Sequence, residues 1–455
     1  MRPEQPYDAG LIDYLLIVGT AVVLAIPLIL RVYRRRFDVF EPLTLASFAL
    51  LLLFVARPLY DFLAGYQWLG YDNPLDWRGA LLITFIGVVA FEIGYHMPVS
   101  RRLAARLPRP PQDSDGQASL VLAAALTVAA AGAVLTVGYL KGGLGLLFAN
   151  RAEATRFVPP FVAEAFLVAL PATLLFLAAA VRRRRRTVAL LALIPAGVIL
   201  LMAIPAGNRR YLLPLLLALV TFAYLVRGRR PPLVPIAVSV VLVLLLVINP
   251  LRDARTGDIS YPEATLESVR NPHTALESLL RAGDTSMIET MALEMPVLGD
   301  EVPYRYGLEL VGDTILAPIP RQVWPDKPQK TSTLLIDHFY GTAEGGGCIV
   351  HCPSFAFFGE AAADFGLVSV ALISALFGLL LATGYQYLLQ HQGALLAQVA
   401  FASGLWLAFQ PWEAGMSMIT HSFILTVLPV AAVGLLARRR DRAIRVSRRA
   451  VGSAT

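Results

Sequence analysis

Charge is scarce in this chain. Asp, Glu, Lys and Arg make up 16% of its 455 residues, where a soluble domain carries about a quarter. That shortage excludes an ordinary water-soluble fold. Cysteine is scarcer still, with only Cys348 and Cys352. No Gly-rich nucleotide loop, no HExxH and no GxSxG occurs, which excludes a cytosolic nucleotide-driven enzyme. The opening "MRPEQPYDAG" lacks a basic n-region, and no small-residue cleavage site follows the first apolar run, so the first helix is expected to stay in the mature protein. No internal repeat is evident.

Apolar residues are abundant instead, at 56% of the chain. Runs of about 17 to 25 of them recur, each long enough to cross roughly 30 Å of hydrocarbon as a helix. In lipid every backbone polar group needs an internal partner, so such runs are helical. The expectation is an all-α polytopic membrane protein. Its eleven spans lie near 10–30, 41–56, 78–98, 118–138, 160–181, 187–205, 211–226, 233–249, 362–385, 394–411 and 418–437. Five basic clusters begin at Arg31, Arg101, Arg182, Arg227 and Arg438. They all fall in the cytoplasm if the N-terminus is outside and the C-terminus inside. The net charge of +7 therefore reads as topology and not as a nucleic-acid surface. Four regions result: residues 1–249 with eight spans, an extracytoplasmic loop over 250–361, three spans over 362–437, and a basic tail over 438–455.

A loop of that length is usually functional or disordered, and this one is not low-complexity. "HTALESLLRAGDTSMIETMALEM" places Leu276, Leu279, Leu280, Met287 and Met291 at helical spacing. It predicts an amphipathic helix lying on the membrane or capping the bundle. The loop also holds "PIPRQVWPDKPQK" (318–330), whose four prolines preclude an ordinary helix.

Arginines on the expected outer side are a surplus that topology does not explain, among them Arg57, Arg151, Arg209, Arg210, Arg252, Arg255 and Arg321, with Lys327 beside them. Guanidinium groups grip phosphate oxygens in bidentate fashion, so the set suits an anionic lipid substrate. Taken singly, each is also explained by snorkelling or by pairing with loop acids. Glu360 and Asp364 in "FFGEAAADFG" lie one turn apart at the start of the ninth span. They read as a helix cap, and Glu360 also as a general base after partial desolvation. Asp284 is a second base candidate. For "CIVHC", a Cys348–Cys352 disulfide ranks first, free thiols second, and zinc with His351 third, because no fourth ligand is evident. Glu92 is the clearest ionisable residue inside a span, close to its cytoplasmic end.

The stretch from Tyr304 to Gly366, with "YRYG", "IPRQVWPDKP" and "FFGEAAADFG", resembles the oligosaccharide repeat-unit polymerases, the Wzy-type O-antigen and exopolysaccharide enzymes. "GNRR" after the sixth span, "GGLGLLFANR", the span count and the single large outer loop fit the same pattern. The resemblance implies a metal-independent glycosyltransferase of the bacterial cytoplasmic membrane that needs no cofactor. It would move a growing glycan from polyprenyl diphosphate onto an incoming lipid-linked repeat. The arginines and Lys327 would stabilise the departing diphosphate, and Glu360, with Asp284 behind it, would take the acceptor proton. Trp324, Tyr304 and Tyr306 would offer faces for sugar rings. Trp324 also reads as an interface anchor, with Pro325 and Pro328 simply folding the loop. Membrane lipids, a chain-length regulator and a flippase are the implied partners. For a histidine base of the kind O-antigen ligases use, His338 and His351 are the outer-loop options. A lipid-glycan flippase and an O-antigen ligase-like transferase are the competing readings.

Overall fold

The computed structural model describes residues 9–65, 75–110, 116–140, 160–203, 209–228, 260–280, 285–309, 323–324, 326–329, 331–340 and 354–432, with scattered positions over 235–250 and 312–319. Among them the structure is helical, in this order: α1 (Leu11–Tyr33), α2 (Pro42–Ala64), α3 (Trp77–His96), α4 (Val99–Arg106), α5 (Gln117–Leu140), α6 (Phe161–Arg183), α7 (Arg186–Ala203) and α8 (Arg209–Arg227). Four shorter helices follow: α9 (Tyr261–Arg270), α10 (Pro272–Leu280), α11 (Met287–Glu294) and α12 (Thr331–Tyr340). The chain then forms α13 (Ala356–Phe365), α14 (Leu367–Gln390), α15 (Leu395–Ala408), α16 (Pro411–Ala414) and α17 (Met418–Ala432).

Seven of these helices, α1, α2, α3, α5, α6, α7 and α14, are long and apolar enough to cross a bilayer. Apolar segments of α8, α15 and α17 are shorter. Side chains confirm the solvent they were built for. On α14, Val368, Leu372, Leu376 and Leu380 recur every four residues and are all exposed. On α1, Leu15, Val18, Val22, Ile26 and Ile29 recur every three or four residues and are likewise exposed. An apolar stripe of this length is costly in water and at home against lipid tails. The chain is a polytopic membrane protein. Ten expected spans coincide with helices, and the one over 233–249 lies largely outside the described residues.

The helices form two compact units. The first comprises residues 1–102, 232–383 and 407–420, and so takes in the expected loop region. Its core is aromatic. The Trp412 ring lies within 5.0–5.4 Å of Phe91, Phe357, Phe358 and Phe377, mostly edge to face, the arrangement that aromatic quadrupoles favour. α3 meets α14 across glycines. A Cβ on Gly94 would stand 1.9 Å from the Ala375 carbonyl oxygen, and one on Gly378 2.3 Å from that of Phe91. Close backbone approach through small residues is how helices associate in lipid. At one end of this unit Arg31 pairs with Glu41 at 2.9 Å, and Tyr95 Oη donates to the same carboxylate.

The second unit comprises residues 103–231, 384–406 and 421–455. In it α6 packs along α5, α7 and α15, and α15 packs along α8.

Three local features depart from the sequence expectation. α2 runs past residue 56 to Ala64, through a π-helical turn over Leu52–Ala56. Pro58 follows that turn and has no amide to donate, so the wider turn takes up the disruption. The amphipathic helix expected over 273–295 is two helices, α10 and α11. Every residue of α11 is buried, and it packs against α3, α13 and the π turn of α2, not on a membrane surface. Finally, α13 is a separate helix and not the start of α14. Gly366, at φ +62°, breaks the two apart in a conformation that a side chain would resist.

Candidate functional site

Two buried polar neighbourhoods share the first unit. One surrounds Arg57, which is 0% exposed. It follows the π turn directly and is not on an outer rim where phosphate would meet it. Its Nε donates to Asp61 Oδ2 at 2.8 Å, one helical turn along, and its Nη2 to Glu289 Oε1 of α11 at 3.0 Å. Its Nη1 donates to Thr285 Oγ1 at 3.1 Å and to the Leu280 carbonyl. Two carboxyl groups thus flank one guanidinium inside the core, and their hydrogen bonds offset part of the desolvation. Tyr60 Oη reaches Glu277 Oε1 of α10 at 3.1 Å, adding a second tie between α2 and the 272–294 segment.

The other neighbourhood is acidic and centres on α13. Glu360 and Asp364 share one buried face of that helix. Glu360 Oε2 accepts the Met416 amide at 2.5 Å. Gly415, at φ +85°, makes the turn beneath it, where an added Cβ would stand 2.3 Å from both Glu360 oxygens. Asp364 Oδ1 accepts two amides, Gly307 and Glu309, each at 3.0 Å. Beside it Arg305 N donates to Ala363 O and Tyr306 N to Asp364 O, so the "YRYG" segment is sewn to the end of α13. Glu309 is buried and accepts the amide and hydroxyl of Thr331 at 2.9 and 2.6 Å.

Glu294, the last residue of α11, completes this group. It is 0% exposed, and neither carboxyl oxygen has a hydrogen-bond partner among the described residues. Its carboxyl lies over the Gly359 backbone, so close that a Cβ there would be 2.5 Å from Oε2. Burial pushes its pKa well above the ordinary carboxylate value, and the negative fields of Glu360 and Glu309 push the same way. Among the described residues no group of three or more His, Cys, Asp and Glu could hold a metal ion.

The sequence candidates fall into three sets. Asp284, Arg151, Arg252, Arg255, Arg321, His351, Cys348 and Cys352 lie outside the described residues. Arg209 and Arg210 open α8, and only their backbone is described. The rest are visible. Glu360 is buried in the acidic group. Lys327 Nζ donates to the carbonyls of Leu316 and Ile319 at 2.8 and 3.2 Å, which spends two of its three donors on holding the strap. Trp324 is exposed beside it. Tyr306 is 71% exposed at φ +53°, and its ring meets Phe365 at 5.7 Å and Tyr304 at 6.5 Å. These three rings form an aromatic shelf at the α13–α14 break. His338 Nε2 lies 3.2 Å from Glu301 Oε2. Glu92 is buried and 3.3 Å from His96.

Sequence reasoning missed Glu294 and Glu309, neither of which it singled out. The available signal was indirect: "GE" at 359–360 and "EAG" at 413–415 place glycines where carboxyls need room. No family model, no curated protein and no solved structure matches the chain.

Proposed function

We propose that the protein is a membrane glycosyltransferase of the bacterial cytoplasmic membrane that polymerises lipid-linked oligosaccharide repeat units. The observation that carries the reading is the cluster of buried acids Glu294, Glu309, Glu360 and Asp364, where the 285–309 segment meets α13, with the pKa of Glu294 pushed up by burial and by the fields of Glu360 and Glu309. One carboxylate able to accept a proton beside one carboxyl able to give it is the acid–base arrangement that glycosyl transfer uses. In the proposed step the acceptor hydroxyl oxygen bonds to the anomeric carbon of the growing glycan. The bond from that carbon to the polyprenyl diphosphate breaks, and the diphosphate leaves with the electron pair. The hydroxyl proton goes to Glu360. Arginines from the surplus noted above, Arg210 and Arg321 among them, take up the diphosphate charge, and preorganised donors of this kind each contribute about 10²–10³ in rate. The Tyr304–Tyr306–Phe365 shelf supplies ring faces for sugars. A chain-length regulator and a flippase are the partners this activity calls for.

A second reading is supported by the same buried acid. A carboxyl that holds a proton inside a membrane protein is also what a proton-coupled carrier of lipid-linked glycan requires. The test uses purified protein in proteoliposomes with a polyprenyl-diphosphate-linked repeat unit. A product ladder that Glu360→Gln abolishes, with the protein still folded, is the polymerase outcome. Movement of labelled substrate across the bilayer with no ladder replaces it with transport. A single transfer to a different acceptor, again with no ladder, replaces it with ligation.

A further inference from the structure

The second unit carries a series of buried polar atoms that the proposed chemistry does not use. Glu164 and His421 are both buried, with Nδ1 of the imidazole 3.7 Å from Glu164 Oε2 and the Phe161 ring set edge-on 5.2 Å away. His421 Nε2 and Glu164 Oε2 have no hydrogen-bond partner among the described residues, and the same holds for Ser422 Oγ, Trp406 Nε1, Ser403 Oγ, Thr221 Oγ1 and Gln398 Oε1. Buried polar groups are nearly always paired, and each orphan costs about 1–3 kcal/mol if nothing meets it.

Their positions along the helices are ordered. Gln398 Nε2 reaches the Leu225 carbonyl at 3.4 Å, which ties the start of α15 to the end of α8. The two helices pack along each other, so α15 must run back towards the start of α8. At about 1.5 Å per residue, Ser403 and Thr221 then stand at one level, about 6–8 Å from Gln398, with Trp406 about 12 Å from it. Glu164 and His421 lie at the far end, because Phe166, two residues beyond Glu164, packs its ring 4.8 Å from that of Tyr211 in the first turn of α8. The orphans are thus spread over about 20 Å of the length of the bundle.

We propose that these groups line one column through the second unit that binds a chain of ordered water molecules, a hydrated polar passage. Water is the ligand that fits. Each bound molecule offers two donors and two acceptors, and buried waters typically satisfy two to four otherwise unpaired groups. The proposal is independent of the glycan reading and stands or falls without it.

X-ray radiolysis of the full-length protein in lipid nanodiscs tests it, because hydroxyl radicals then form in place from bound water. Trp406 and His421 are the reporters, and Trp412 is the dry reference, being fully buried with its Nε1 donating to Ala408 O at 2.8 Å. The expected result is oxidation of Trp406 and His421 at least ten times faster than Trp412, with the added oxygen drawn from ¹⁸O-labelled water. Thr221→Val, which keeps the side-chain shape and removes the hydroxyl, should slow Trp406 oxidation severalfold. Should that variant not fold, the wild-type ratio and the ¹⁸O label still decide. Trp406 and His421 as protected as Trp412, or oxygen drawn from elsewhere, overturns the proposal.

Discussion

Replacing Arg57 by methionine keeps most of the side chain's volume and removes its charge. The guanidinium holds Asp61 at 2.8 Å and Glu289 at 3.0 Å in a site with no exposure. Arg57→Met leaves two buried carboxylates without a cation, and breaking a buried pair from one side costs about 3–5 kcal/mol. A carboxyl can escape by taking a proton, but lifting an acid from its usual range to neutrality itself costs about 1.4 kcal/mol per pH unit, or about 4 kcal/mol for one acid, so protonation does not remove the loss. A loss of 3–5 kcal/mol raises the opened fraction by about 10²- to 10⁴-fold. Native-state proteolysis in detergent reads that fraction directly, provided reclosing outpaces cleavage. The triple variant Arg57→Met, Asp61→Asn, Glu289→Gln removes all three charges together and should recover at least half of the loss, because neutral amides bond to one another and to Thr285. Arg57→Met proteolysed at the wild-type rate refutes the account. So does a triple variant no better than the single one, since uncompensated charge would then not be the cause.

Glu294→Gln tests the buried acid by its pH dependence. A carboxyl whose folded pKa is raised binds a proton in the folded chain after the unfolded chain has lost it. From about pH 4.5 upward stability therefore falls as pH rises, by at most about 1.4 kcal/mol per unit. Thermal-shift series across this range should show that slope in the wild type and a flatter one in Glu294→Gln, and equal slopes exclude the assignment. Gly415→Ala drives a Cβ to 2.3 Å from both Glu360 oxygens and strains a φ of +85° by about 1 kcal/mol or more. It should abolish glycan laddering as Glu360→Gln does, while Gly384→Ala, with nothing near its Cβ position, should not. Asp364→Ala frees the amides of Gly307 and Glu309 at about 1–3 kcal/mol each. Trypsin cleavage after Arg305 should accelerate at least tenfold, and an unchanged rate means that other contacts hold the segment.

The spanning helices were legible because hydrocarbon leaves one solution: a long apolar run has to be a helix, whatever it packs against. Breaks within them were not. Gly366 sits between two apolar stretches that hydropathy joins into one, and only its φ of +62° divides α13 from α14. α11 misled for a different reason. Glu289 and Glu294 interrupt its apolar residues as they would on a surface helix, yet one is buried against an arginine 232 positions earlier and the other with its pKa pushed up by burial. Neither compensation leaves a local trace. Glu360 was legible as a candidate through its neighbours Gly359 and Asp364. Its setting against Glu294 and Gly415 needed the helices to be in place. Lys327 shows the converse: a cation that reads as a phosphate ligand holds two carbonyls of its own strap.

The contact between Arg57 and Glu289 also sets a timetable for biosynthesis. At about 5–20 residues per second, the ribosome reaches Glu289 roughly 10–50 s after Arg57. For that interval α2 has to enter the bilayer without its distant partner. Asp61, four residues on in the same helix, is available at once, and a neutral local pair inserts far more readily than a lone guanidinium. Asp61 is thus the escort that Arg57 needs during insertion as well as a member of the finished core. Its loss should reduce the yield of inserted protein out of proportion to any change in the stability of the molecules that do fold.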